Sequence, residues 1–65
     1  MNFQIIIPEL AYIDYQQASS ISEVLAFCKG YFPIETIAKY HIIEQPYLIT
    51  IIFDRYWAKA QYPRK

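Results

Sequence analysis

Seven consecutive residues, Tyr47-Leu48-Ile49-Thr50-Ile51-Ile52-Phe53, constrain this chain more than any other feature. β-Branched and aromatic side chains at these positions favour an extended backbone. In a strand, Tyr47, Ile49, Ile51 and Phe53 face one way and Leu48, Thr50 and Ile52 the other. Both faces are apolar, so the strand belongs in the middle of a sheet with cover on each side. The run is too short for a membrane span, which needs roughly 18 or more apolar residues. The chain has 65 residues, so residues 1–65 make a single domain around one core.

The rest of the chain supplies partners for that strand. Asn2 to Ile7 is a short β-rich run closed by Pro8 and reads as the first strand. In Glu9 to Gln17, Leu10 and Ile13 have helical spacing while Tyr12, Ile13 and Tyr15 favour extension. The expectation there is an irregular connection. Ser20-Ile21-Ser22-Glu23 fits a capping box, and Ile21, Val24, Leu25 and Cys28 recur at i, i+3, i+4 and i+7. Lys29 suits the carbonyl end of this helix, and Gly30 is expected to stop it in a left-handed conformation. Ile34 to Ile43 alternates: Ile34, Thr36, Ala38, Tyr40 and Ile42 against Glu35, Ile37, Lys39, His41 and Ile43. Glu44-Gln45-Pro46 then turns the chain into the 47–53 strand. Asp54 to Tyr62 is either a helix capped by Asp54 or an aromatic, basic tail.

These elements predict an α+β fold: a small β-α-β-β domain with a three-stranded antiparallel sheet of order 1-3-2 and one helix on one face. The most apolar strand sits in the centre. One helix covers one face only. Ile37, Ile43, Leu48 and Ile52 are therefore expected on a wet face, and exposed apolar patches of that kind mark interaction surfaces.

Chemistry-bearing residues are sparse. Cys28 is the only thiol and His41 the only imidazole. Cys28 belongs to the helix stripe and His41 to the other strand face, so the sheet is expected to separate them and no Cys–His pair forms. The six carboxylates (Glu9, Asp14, Glu23, Glu35, Glu44 and Asp54) follow no metal-ligand pattern. A single glycine excludes a Gly-rich phosphate loop, and a lone cysteine excludes a disulfide framework or a Cys-rich zinc module. The chain is also expected to enclose no ligand pocket of ordinary size. No enzymatic activity, cofactor or metal is expected. Hydrophobic residues make up 55 %, which excludes a disordered polyelectrolyte. The start, Met1-Asn2-Phe3-Gln4, has no basic residue before Ile5-Ile6-Ile7, unlike a secretory signal. With an unpaired thiol, the expected location is cytoplasmic.

Charge is divided unevenly along the chain. Residues 1–54 hold two cations and six anions, whereas 55–65 hold four cations and no anion. The basic aromatic segment 55–65 includes Tyr56, Trp57 and Tyr62. Arg, Tyr and Trp are also the types enriched at protein-interface hot spots. The expected function is a non-enzymatic protein-binding module, such as an adaptor, inhibitor or accessory subunit, and the expected assembly is a homodimer or an obligate complex. Its contact residues are expected to be Ile37, His41, Ile43, Leu48, Ile52, Arg55, Tyr56 and Trp57. Either the uncovered face or an exposed edge strand would serve. The alternative is a nucleic-acid-binding regulator whose rings stack on bases while its cations hold phosphates.

Overall fold

The computed structural model describes residues 1–55, so the expected element over Asp54–Tyr62 lies almost wholly outside the described residues, as do Tyr56 and Trp57. The chain runs β1 (Asn2–Ile7), a 3-10 turn (Pro8–Leu10), β2 (Tyr12–Gln17), α1 (Ile21–Tyr31), β3 (Tyr40–Gln45) and β4 (Leu48–Phe53). The strands form one mixed sheet of order β2-β1-β4-β3. Over the described residues the fold is a small α+β domain with one α-helix.

Two expectations about the sheet are corrected. Among the described residues it has four strands rather than three, because Tyr12–Gln17 is a strand and not an irregular connection. It is also mixed rather than all-antiparallel, since β1 and β4 run parallel. The two corrections share one cause. The β1–β2 hairpin reverses the chain before the helix, so the helix delivers the second hairpin in the opposite sense to that expected. β4 still lies between β1 and β3.

The first hairpin turns without glycine. Pro8 fits the start of a helical turn, Ala11 N–H donates to Pro8 C=O at 3.0 Å, and Ala11 takes the left-handed conformation at φ 52°. Reciprocal bonds between Met1 and Ala18, both 3.1 Å, close the other end of the hairpin.

The helix forms where its signals are. Ser20 Oγ accepts from Glu23 N–H at 3.3 Å, and Glu23 Oε1 accepts in return from Ser19 N–H at 2.9 Å. The box closes one residue earlier than its usual form. Gly30 does not stop the helix: it has no positive φ, and α1 continues to Tyr31. Phe32, in an extended conformation before Pro33, ends it, with its N–H on Cys28 C=O at 3.0 Å. A residue preceding proline is biased away from helical geometry, which provides the stop that Gly30 does not.

Residues 34–39 are turns and not strand. Thr36 N–H bonds Pro33 C=O at 3.0 Å and Ile37 N–H bonds Ile34 C=O at 3.3 Å, which tucks Thr36 and Ile37 inward. Ile37 therefore joins the core instead of the wet face. Six residues of β3 suffice to pair the six of β4, leaving the preceding segment free to close one end of the core. That core unites Phe3, Ile5 and Ile7 from β1 with Ile49, Ile51 and Phe53 from β4. Val24 and Cys28 press on them from α1, with Ile21 and Leu25 at the margin.

Candidate functional site

Directly opposed residues in neighbouring strands share a face. Away from the helix, the register writes rows across β2, β1, β4 and β3. One row reads Ile13, Ile6, Ile52, His41, and the next reads Tyr15, Gln4, Thr50, Ile43. At the end where β1 begins, Gln17 opposes Asn2 and Gln45 opposes Leu48. None of these residues is Asp, Glu, Lys or Arg. Among the described residues, no helix or strand covers this face: the strand residues of the core cluster all point to the helix side.

Exposure follows position in the sheet. Ile13 and Tyr15 on the edge strand are 63 % and 64 % exposed and Ile43 is 40 % exposed, while Ile6, Leu48, Ile52 and His41 are half-buried. The polar side chains between them bond one another. Thr50 Oγ1 donates to Gln4 Oε1 at 3.2 Å, Gln4 Nε2 donates to Tyr15 Oη at 3.0 Å, and Gln17 Nε2 donates to Asn2 Oδ1 at 3.1 Å. A buried polar group without a partner costs roughly 1–3 kcal/mol. This ladder lowers that cost for any surface that covers the face.

The sheet edges are built differently. Asp14 on β2 and Glu44 on β3 stand on the helix side of the two edge strands. Tyr12 Oη donates to Asp14 Oδ2 at 3.0 Å, and burial together with that carboxylate raises the Tyr12 pKa. Carboxylates on edge strands discourage another strand from adding to the sheet. The edges are guarded and the face is open.

Of the residues expected to bind a partner, the structure brings together Ile43, Leu48, Ile52 and His41 on this face. Ile37 is 6 % exposed in the core and does not join them. Arg55 follows β4 and pairs with Glu9 at 2.6 Å, tying the ends of the parallel neighbours β1 and β4. Tyr56 and Trp57 lie outside the described residues. Sequence reasoning missed Ile6 and Gln4 of β1 and Ile13 and Tyr15 of β2 on this face. For Ile13 and Tyr15 the signal was the extended preference of Tyr12, Ile13 and Tyr15 after the Pro8 turn; Gln4 and Ile6 alternate with the core residues of the expected first strand.

Cys28 is fully buried and free on the helix side, while His41 belongs to the opposite face. Burial raises the Cys28 thiol pKa, away from the thiolate that nucleophilic chemistry needs. Among the described residues, no three His, Cys, Asp or Glu side chains group as metal ligands. Nor is any helix among them long and apolar enough to cross a membrane. Two open hollows of about 340 and 490 Å³ flank Tyr47 and share Asn2 and Leu48. Their volumes reach the range of ligand sites, but both are open to solvent and extend one end of the open face. No protein-family model, curated protein or solved structure matches this chain.

Proposed function

We propose that this protein is a small non-enzymatic protein-binding module, acting in the cytoplasm as an adaptor, inhibitor or accessory subunit through the open face of its sheet. The observation that carries the reading is the face itself: a row of three isoleucines beside mixed rows that hold no Asp, Glu, Lys or Arg, with Gln4, Tyr15 and Thr50, and Asn2 and Gln17, already bonded to each other. Such a surface loses little on desolvation and gains apolar burial when another protein covers it. The separation of Cys28 from His41 supports a non-enzymatic role. Nucleic-acid binding has less support, because among the described residues the open face presents no Lys or Arg to a phosphate backbone.

The test is affinity capture from the source cells with wild type, Ile43→Lys on the open face and Lys29→Ala on the exposed side of α1. The expected result is a protein partner retained by wild type and Lys29→Ala but lost by Ile43→Lys. Equal capture by all three proteins refutes the role of the face. Salt-sensitive retention of single-stranded nucleic acid with no protein partner replaces the reading by its alternative.

A further inference from the structure

We propose that a second copy of this chain occupies the open face, packed sheet on sheet about a two-fold axis along the strands. This inference rests on the protein-binding reading and names the partner. The register provides the first support. β1 and β4 are parallel, with Ile6 beside Ile52 and Gln4 beside Thr50. A two-fold axis between these strands exchanges β1 with β4 and β2 with β3, and keeps every row at its own level. The apolar row then meets itself. Ile6 lies over Ile52 of the second copy and Ile52 over its Ile6, an isologous contact of the kind closed dimers use. Aligned sheet packing at about −30° accommodates this arrangement.

Charge gives the second support. None of the residues that the register places on the open face is Asp, Glu, Lys or Arg, so pairing this face with its copy brings no two like charges of these types together. An edge-to-edge dimer meets Asp14 on β2 or Glu44 on β3, which disfavours extension of the sheet.

Area sets the strength. Four strands about 4.8 Å apart and six residues rising about 3.3 Å each give a footprint of roughly 380 Å² per copy. Protruding Ile13, Tyr15 and Ile43 enlarge the accessible surface beyond that footprint. Two faces bury on the order of 1,000 Å², at the lower end for specific complexes, so association is weak and reversible.

The test is sedimentation equilibrium of the full chain from about 10 µM to about 1 mM, with isotope-filtered nuclear Overhauser spectroscopy at the upper limit. The expected result is a monomer–dimer equilibrium with intermolecular contacts between the Ile6 and Ile52 methyls. Ile13→Lys, at a position 63 % exposed, should keep the fold and raise the dissociation constant at least tenfold. Leu10→Lys, in the turn between β1 and β2, should leave it unchanged. A dimer insensitive to Ile13→Lys, or one with intermolecular contacts through α1 or an edge strand, overturns the proposal. So does a monomer throughout the range, and a paramagnetic cosolute then separates two cases. Accessible open-face methyls remove self-pairing alone and leave the protein-binding reading standing. Methyls shielded by contacts to Trp57 of the same chain remove both.

Discussion

Ile51 and Ile52 are adjacent on β4, share a residue type and face opposite sides of the sheet, so replacing each by Val isolates burial from strand propensity. Ile51 is 0 % exposed, flanked by Ile5 and Ile42 in its row on the helix side. Ile52 is half-buried between Ile6 and His41. Removing one fully buried methylene forfeits about 0.8 kcal/mol of transfer energy, and an unrelaxed cavity adds to it. Ile51→Val should therefore cost about 1–1.5 kcal/mol, and Ile52→Val less than about 0.5 kcal/mol in the monomer. The total stability of a chain this size is roughly 3–10 kcal/mol, so both variants stay folded. In urea at low micromolar protein, with a slope of about 1 kcal/mol per molar, the midpoint should fall by about 1 M for Ile51→Val. The fall should be less than half as large for Ile52→Val. At millimolar protein the Ile52→Val deficit should grow, because a dimer that binds only the native state adds stability by mass action. The Ile51→Val deficit should not. Equal midpoint shifts at low concentration would show that the second face is as well covered as the first in the isolated chain and refute the open-face account.

Ser20→Ala should cost about 0.5–1 kcal/mol in the denaturation midpoint, since it removes the acceptor of Glu23 N–H while Glu23 still holds Ser19 N–H. An unchanged midpoint would mean that the cap contributes nothing to the fold. Cys28 should resist alkylation at pH 8 in the native protein and react at the rate of a free thiol in urea, and rapid native labelling would contradict its burial. Tyr12 and Cys28 both have raised pKa values, so on the alkaline side the folded chain binds more protons than the unfolded one. Their contribution is complete below the unfolded pKa values and is lost as pH climbs through the folded ones. Urea midpoints should accordingly fall above about pH 9, and a Tyr12→Phe, Cys28→Ala double variant should fall less steeply.

The helix was legible in the sequence because its determinants are local. A cap, its reciprocal acid and an i, i+4 stripe span a dozen residues, and Ser20, Glu23, Val24 and Cys28 take the places those spacings assign. The two faces of β4 were legible for the same reason, since period-two alternation needs no knowledge of neighbours. Gly30 misled because proximity to a helix end does not require a left-handed residue when Phe32-Pro33 already forces extension. Ile37 misled because an alternating pattern does not tell a strand from turns that bury one side chain. β2 escaped notice because both of its faces mix polar and apolar residues, and its turn uses Ala11 where glycine is expected. Its stability comes from the ladder with β1, a pairing between residues up to 15 apart in the chain. Local sequence by itself determined that the chain has a helix and a doubly apolar strand in need of cover. Only the tertiary structure decided that β1 and β4 run parallel and that Ile13 and Tyr15 complete the open face. Strand order and register are set by long-range hydrogen bonding and shared burial, and no short window of residues contains either.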